Sequence, residues 1–304
     1  MFCNSFNSFN KGSIICIVVL IILVISIVAY FSLKICFSTY PKLKKILEKI
    51  KGNDLDFMNF GLWRDNPDTI ADANTALCRL LIKNGEINKS KKVLDIGCGF
   101  GQQDLLWYKF SDVKQDIKIQ GLDIEPVHID AAKKLIEKNN LSDKIQFDIG
   151  NACSLGYKDE TFDTVISLES AFHYEPRSTF FTEAARVLEP GGKLVIADIM
   201  LQNNCGLLGR YASYLAANFM HVPACNNQDI KTWIEQLERS GFNVEYEIIT
   251  HDTFAPYFDH IVNKFNHDDF IIRWSWFFAI NIWRFICKNS LPFDYVVAVC
   301  TKNS

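Results

Sequence analysis

The glycine-rich segment 95–101, DIGCGFG, carries the clearest chemical signal in the chain. Glycines at Gly97, Gly99 and Gly101 let the backbone turn without a Cβ atom in the way, so that main-chain N–H groups can approach a ligand closely. Such groups near the start of a helix hold an anionic group, for example a carboxylate. The spacing is GxGxG rather than the GxGxxG of pyrophosphate sites, and the preceding Asp95 suits a cationic amino group. The segment therefore indicates a charged, nucleotide-like ligand, and a simple strand–helix turn is the alternative.

Two further polar residues follow the next strand patterns along the chain. Asp123 ends a strand predicted over 117–123, where a carboxylate can accept hydrogen bonds from both hydroxyl groups of a ribose. Its alternative role is to cap the helix that begins near Pro126. Asn151 follows the third strand, and its amide can hydrogen-bond the edge of an adenine ring, although an ordinary turn would also place a polar residue there.

Helix and strand patterns alternate after residue 90, which predicts βαβ units and a parallel sheet that positions these residues. The predicted helices cover residues 68–83, 102–110, 126–139, 179–188 and 228–239. The predicted strands cover residues 92–96, 117–123, 145–148, 162–168, 193–198, 244–250 and 295–301.

The segments VLDIGCGFG, GLDIEP, GNA, FDTVISLESAFHY and FFTEAARVLEPGGKLVIADI are similar, in order and spacing, to the class I, type-11-like methyltransferases that use S-adenosylmethionine (SAM). The resemblance runs from about Phe57 to the C-terminus and is most specific over 92–200. It implies SAM as cofactor and a Rossmann-like, seven-stranded sheet with helices on both faces and a reversed last strand. The cofactor-binding residues that it implies are Asp95, Gly97, Cys98, Gly99, Gly101, Asp123, Ile124, Asn151, Ala152, Glu169 and Trp63.

Within this family the sequence looks most like enzymes that methylate hydroxyl groups of lipophilic natural products, sugars, sterols or polyketide lipids. Residues 56–63 resemble the aromatic segment that closes over SAM, with Leu62 in place of the usual Tyr, and residues 169–173 resemble a loop with a catalytic His. His173 is therefore the predicted base, because imidazole titrates near neutral pH. Asp198, at the end of the fifth strand, would orient the imidazole or hold the hydroxyl. A polar residue without catalytic role is the alternative for His173.

Several other functions stay open at this stage. The acceptor atom is nitrogen or carbon in one alternative, with a phospholipid head group or a sterol-like lipid as substrate. A non-catalytic, SAM-binding membrane scaffold is another, but the intact glycine loop and Asp123 count against it. A nicotinamide-dependent oxidoreductase is disfavoured by the GxGxG spacing and by Asp95.

Composition narrows the range of partners. The net charge of −3 provides no basic excess for a nucleic-acid backbone. The ten cysteines form no CxxC pair, so we expect free thiols and no metal site. The sequence leaves the oligomeric state open.

Residues 13–33 contain no charged side chain, and a helix of this length would span roughly 30 Å of hydrocarbon. Lysines are concentrated after this run, which predicts a single-pass membrane protein whose catalytic domain faces the cytosol. The predicted division is a membrane anchor and basic linker over 1–51 and a methyltransferase domain over 52–304. Two insertions, about 199–227 and 251–290, are predicted to form a substrate lid. The aromatic residues of the second insertion are expected to line the pocket, contact a membrane or fill a helix-pair core.

Overall fold

The computed structural model describes residues 59–201, 214, 217–218, 220–264 and 293–303. The strands are β1 (Lys92–Ile96), β2 (Lys118–Asp123), β3 (Ile145–Ile149), β4 (Phe162–Leu168), β5 (Leu188–Leu201), β6 (Phe242–Ile248) and β7 (Phe293–Lys302). The helices are α1 (Ile70–Gly85), α2 (Gln102–Lys109), α3 (Pro126–Lys138), α4 (Arg177–Val187), α5 (Ile230–Arg239) and α6 (Phe254–Lys264).

The seven strands form one sheet in the order β3-β2-β1-β4-β5-β7-β6. Neighbouring strands from β3 to β5 pair in parallel, whereas β7 runs antiparallel to both β5 and β6. This arrangement confirms the predicted Rossmann-like sheet with one reversed strand. It also brings the carboxyl ends of β1, β2, β3 and β4 to the same edge.

Helices cover both faces of the sheet, as expected. Val195 of β5 belongs to a buried apolar cluster that includes side chains of α1, α2 and α3. Its neighbours Leu194 and Ile196 belong to a second cluster, which includes α4 and α5. Successive side chains of a strand point to opposite faces, so the central strands are buried on both sides and their sequences are almost continuously apolar.

Element ends follow local signals that the sequence patterns located only approximately. Helix α1 begins after Thr69, whose side chain accepts a hydrogen bond from the N–H of Asp72, the usual role of a Thr N-cap. Helix α3 begins at Pro126, a favoured first position because proline lacks the N–H that would be unpaired there. Strand β5 begins five residues before its predicted start, because Leu188 already pairs with Phe162 and a register irregularity accommodates the glycines that follow.

Among the residues that the structure describes, no helix is long and apolar enough to cross a membrane. The longest, α1, has 16 residues, fewer than the roughly 20 that a span requires. The predicted single-pass location, with a membrane as partner and a cytosol-facing domain, is therefore corrected. The predicted anchor at 13–33 and the linker up to 51 lie outside the described residues, as do 202–213 and 265–290 of the two insertions.

Candidate active site

The carboxyl ends of β1, β2, β3 and β4 open onto a cavity of about 770 Å³, within the size range of small-molecule sites. The structure brings together here most of the residues singled out from the sequence. These lining residues are Gly97, Cys98, Gly99, Asp123, Ile124, Asn151, Ala152, Glu169 and His173. Four others, Trp63, Asp95, Gly101 and Asp198, are not among the described residues that line it.

The glycine loop between β1 and α2 forms one wall of the cavity. Gly97 has a φ of +75°, and a Cβ atom built on it would lie 2.4 Å from Cβ of Ser170 and 2.7 Å from the hydroxyl of Tyr174. Glycine is therefore required at this position by both backbone conformation and space. The close approach also packs the glycine loop directly against the loop that carries His173.

Asp123 stands at the tip of β2 beside the glycine loop. Its Oδ2 accepts a hydrogen bond from the N–H of Gly99 at 2.9 Å, and its Oδ1 accepts one from the N–H of Glu125 at 2.9 Å. Nδ1 of His128 lies 3.2 Å from the same Oδ1. Burial opposes ionisation, but the hydrogen bonds from His128, Glu125 and Gly99 outweigh it and lower the pKa of Asp123. Asp123 is therefore a carboxylate at neutral pH and can accept hydrogen bonds from hydroxyl groups.

Asn151, Ala152 and Ile124 surround the part of the cavity beyond Asp123. The side-chain Oδ1 of Asn151 accepts a hydrogen bond from the N–H of Cys153 at 2.8 Å, which holds the turn after β3. Ala152 is buried, whereas Ile124 is exposed at the cavity mouth. The three residues provide an amide and two apolar surfaces, the combination that a nucleobase requires.

Glu169 and His173 lie on the loop after β4. The Oε1 atom of Glu169 accepts hydrogen bonds from the N–H of Phe60, at 2.8 Å, and from the hydroxyl of Tyr295. His173 ends the 3₁₀ turn Ala171–His173 and is exposed toward the cavity. Desolvation lowers the pKa of His173 against a smaller, opposing hydrogen bond with the backbone of His221. The imidazole is consequently neutral at pH 7 and able to accept a proton.

Residues 94–196 match a methyltransferase domain family. Over 261 residues the chain is 32% identical to erythromycin 3''-O-methyltransferase of Saccharopolyspora erythraea, covering 81% of this chain and 83% of that protein. The chain belongs to the class I SAM-dependent methyltransferases. The 27-O-demethylrifamycin SV methyltransferase of Amycolatopsis mediterranei is 31% identical over 53% of this chain and 57% of its own length. The fold is similar to that of a putative sarcosine dimethylglycine methyltransferase from Galdieria sulphuraria, with a TM-score of 0.71 and 15% identity over 85% of this chain and 97% of that one.

The chemistry of the cavity fits SAM, the cofactor of this methyltransferase. The carboxylates of Asp123, Glu125, Glu169 and Glu175 line the cavity, and no Lys or Arg is among its described lining residues. SAM carries a positively charged sulfonium, for which an anionic cavity is favourable. The cavity also offers polar groups to the other parts of SAM. These groups are the backbone of the glycine loop, the carboxylate of Asp123 and the amide of Asn151.

Asp95, predicted to meet a cationic amino group, is instead covered by α2. Its carboxylate is fully buried and accepts hydrogen bonds from Nε2 of Gln103, at 2.9 Å, and from Nε1 of Trp107, at 2.6 Å. Burial raises the pKa of Asp95 to about 7, although both hydrogen bonds oppose the shift. The structure therefore does not bring Asp95 to the cavity lining, because its side chain points toward the helix below the loop.

Asp198, predicted to face the acceptor, forms a fully buried ion pair. Its Oδ2 lies 2.7 Å from NH1 of Arg177, and neither side chain is exposed to solvent. Arg177 is further held by Asn226, whose Oδ1 accepts from the N–H of Arg177 and whose Nδ2 donates to the carbonyls of Phe172 and Tyr174. These contacts place Asp198 behind the His173 loop, so the direct contact with an acceptor is not supported.

Trp63, predicted to contact the cofactor, also lies outside the lining. Its Nε1 donates to the carbonyl of Phe60, and its ring packs against Tyr257 and His260. Phe60 takes its place at the cavity, together with Asn59. The N-terminal segment therefore reaches the site, but through residues three and four positions earlier than expected.

Sequence reasoning missed His128, Arg177, Asn226 and Tyr295. His128 had a local signal, because it lies five residues after Asp123 in the first turn of the helix that follows it. The other three contact the site across long separations, such as 126 residues between Glu169 and Tyr295. No spacing along the chain indicates such contacts.

Proposed function

We propose that the enzyme transfers the methyl group of SAM to a hydroxyl group of a lipophilic small molecule, with His173 as the base. The observation that carries this proposal is that His173 and the glycine loop line one cavity. Erythromycin 3''-O-methyltransferase, which aligns over 81% of this chain, is named for transfer to oxygen. Its similarity supports an oxygen acceptor for this enzyme.

The cofactor is assigned to the half of the cavity formed by β1, β2 and β3. Backbone groups of Gly97, Cys98 and Gly99 would hold the methionine end, since bare backbone is accessible there. Asp123 would accept hydrogen bonds from the ribose hydroxyls. Asn151 would bind the adenine edge, with Ala152 and Ile124 against its faces, and Glu169 would lie near the cationic end.

SAM supplies a methyl group on a sulfonium, which is electrophilic enough to react with an aligned oxygen nucleophile. The chain contributes alignment, exclusion of water and removal of one proton. His173 is exposed at the cavity, so its neutral imidazole is available to accept the proton that the acceptor hydroxyl loses. Asp198 acts only through the loop that it supports.

The acceptor side of the cavity supports an apolar substrate. Phe60, Leu168, Phe172 and Met220 line it near His173. Burial of such side chains against a ligand is favourable by roughly 25 cal/mol per Å² of apolar surface. Met220 belongs to the insertion 199–227, which supports the assignment of that segment to the acceptor pocket.

Helix α6, which lies in the described part of the region 251–290, is assigned to the same wall. The rings of Phe254 and Tyr257 pack edge-to-face against Phe60, with centroids 4.9 and 5.1 Å apart. These contacts fix the position of Phe60 over the cavity. A division of the chain near residue 51, with the catalytic domain after it, is part of the same proposal.

The test is methyl transfer from isotope-labelled SAM to a panel of hydroxylated macrolides, polyketides and glycosides, followed by mass spectrometry. We expect His173→Ala to lower turnover by about 100-fold or more, the usual contribution of a general base. Affinity for S-adenosylhomocysteine (SAH), measured by calorimetry, should stay within about twofold, because the ring only abuts the cofactor half.

A matched control is His251→Ala, since His251 is an exposed histidine on the turn Thr250–Asp252. Its turnover should equal that of the wild type. If His173→Ala keeps wild-type turnover, the base assignment is wrong. Transfer then proceeds by proximity alone, and the position of the labelled methyl group in the product shows whether the acceptor atom is oxygen, an amine nitrogen or a carbon.

A further inference from the structure

The hydrogen bonds of Asp123 leave too few acceptor positions for a ribose. A carboxylate has two oxygens and about four lone-pair positions. Oδ1 already accepts from the N–H of Glu125 and from Nδ1 of His128, and Oδ2 accepts from the N–H of Gly99. One position remains, on Oδ2, whereas a ribose diol bound by both oxygens needs one position on each.

One of the two donors on Oδ1 must therefore leave when the diol binds, whereas Gly99 can keep its hydrogen bond to Oδ2. The donor of Glu125 is a backbone group, held by the start of α3. His128 is a side chain that can change rotamer about two torsions, and 24% of its surface is exposed to solvent. It is the donor whose release perturbs the fold least.

From this geometry we propose that His128 competes with the cofactor ribose for Asp123 and that cofactor binding displaces the imidazole. The proposal rests on the assignment of Asp123 to the ribose. His128 is thus a residue that sets the affinity for the cofactor, rather than one that touches the reacting atoms. Its ring packs edge-to-face on Phe100, with centroids 4.7 Å apart, which stabilises the position that blocks Oδ1.

Competition depends on the charge of the imidazole. The charged groups that face His128 are Asp123, from β2, and Glu125, from the turn before α3, and both favour imidazolium. The hydrogen bond with Asp123 is the largest cause and raises the pKa of His128 against a smaller opposing effect of burial. Displacement breaks an ion pair while His128 is protonated, but only a hydrogen bond from a neutral imidazole to the carboxylate after His128 has lost its proton. Affinity for the cofactor should consequently rise with pH across the titration of His128.

The experiment is calorimetry of SAH binding to the full chain between pH 5.5 and 8.5, with wild type and His128→Phe. We expect the variant to bind about fivefold more tightly than wild type at pH 6, the effect of removing one partly exposed ion pair. The two proteins should converge toward pH 8.5. Titration of the amino group of SAH affects both equally and cancels in their ratio.

Two further measurements separate competition from a general effect of the substitution. Binding to wild type near pH 7 should release protons, seen as a dependence of the measured enthalpy on buffer ionisation, and less so in the variant. His128→Gln, which cannot become charged, should lose the same pH dependence if His128→Phe does not fold. His251→Phe, on an exposed turn, should behave as wild type.

Weaker binding by His128→Phe at every pH would overturn the proposal, because His128 would then support Asp123. A ratio of affinities that does not change with pH would overturn it as well. Asp123→Asn separates this failure from failure of the underlying assignment. If Asp123→Asn binds SAH as tightly as wild type, Asp123 does not hold the ribose and both ideas fall.

Discussion

Replacement of Asp198 by Asn tests whether this residue acts in support of the fold. The substitution keeps the shape of the side chain but leaves the guanidinium of Arg177 buried without its counter-charge. The remaining hydrogen bonds of this guanidinium with described residues are to the carbonyls of Ile199, at 3.5 Å, and Asn226, at 3.2 Å. Both are longer than the 2.7 Å contact that is lost.

Breaking a buried ion pair by removal of one partner costs about 3–5 kcal/mol. We expect the free energy of unfolding to fall by about that amount, because both side chains are fully buried. The substitution also affects a second hydrogen bond, because Oδ1 of Asp198 accepts from the N–H of Ile199 at 2.9 Å. The amide oxygen of Asn can keep that bond, so the lower end of the range applies if Asn orients its oxygen there.

The assay is urea unfolding of the full chain, followed by tryptophan fluorescence. Glu235→Gln is the control, because it breaks the exposed pair Glu235–Arg239, for which about 0.5 kcal/mol or less is expected. The double variant Arg177→Met with Asp198→Leu should recover most of the loss, since no unpaired charge remains. A loss below about 1 kcal/mol in Asp198→Asn would refute the reasoning. If Asp198→Asn keeps wild-type stability but loses turnover, Asp198 acts directly on the acceptor rather than through the fold.

Two other predictions concern the glycine loop. Gly97→Ala should destabilise the fold by about 1–3 kcal/mol and weaken SAH binding at least tenfold, since its Cβ atom would lie 2.4 Å from Cβ of Ser170. Thermal melting measures the stability and calorimetry the SAH affinity. Gly156→Ala is the control and should leave both unchanged, because a Cβ atom added at Gly156 would have no atom within 4 Å. Asp95→Asn should remove a loss of stability that wild type shows as pH rises from about 4 to about 7. The raised pKa of Asp95 means that the folded state holds its proton more tightly, so stability is full below this window and declines through it. Urea unfolding at pH 4.5 and 8 measures how the free energy of unfolding changes with pH. An equal change in wild type and Asp95→Asn would contradict burial as the cause of the raised pKa.

The sequence was sufficient to predict the sheet because its signals are local. Strand β1 was located without error, since the apolar run 92–96 is bounded by a polar turn and a glycine loop. The ends of α1 and β5 differed by two to five residues, because Thr69 caps one and an irregular pairing with Phe162 begins the other. Caps and bulges depend on hydrogen bonds that periodicity does not encode.

The membrane location is the prediction that the structure corrects. That prediction rests on hydrophobicity and flanking lysines alone, whereas the described helices are too short to span a bilayer. The site was predictable only where a residue ends a strand or lies in the loop directly after it. Asp123, Asn151 and His173 satisfy that condition and reach the cavity, because parallel strands end on one edge of the sheet. Asp198 also lies near the end of a strand but does not line the cavity. Its carboxylate pairs instead with Arg177 of α4, 21 residues earlier in the chain.

The three acids near the glycine loop differ in their ionisation at neutral pH: Asp123 is charged, Asp95 is partly ionised and Asp104 is neutral. Burial raises the pKa of Asp104 well above its usual range, with a further contribution from Asp95. Burial likewise holds the pKa of Asp95 near neutrality, and the charge of Asp123 adds to this shift. Asp123 alone has three donors that favour its carboxylate form. The one fully ionised carboxylate of the three at neutral pH is therefore that of Asp123, at the tip of β2 where the ribose is proposed to bind.

This distribution of charge changes in one direction as pH rises. As pH rises through the raised pKa of His128 the imidazolium loses its positive charge, and Asp95, with a pKa of about 7, gains a negative one. Both changes make the potential around the glycine loop more negative, which favours a cationic cofactor over an uncharged analogue. Only the change at His128 also opens an acceptor position on Asp123. SAH, which lacks the sulfonium charge, therefore reports the release of His128, whereas SAM reports that release together with the electrostatic effect of Asp95. The difference between their pH profiles in wild type and Asp95→Asn separates the two contributions.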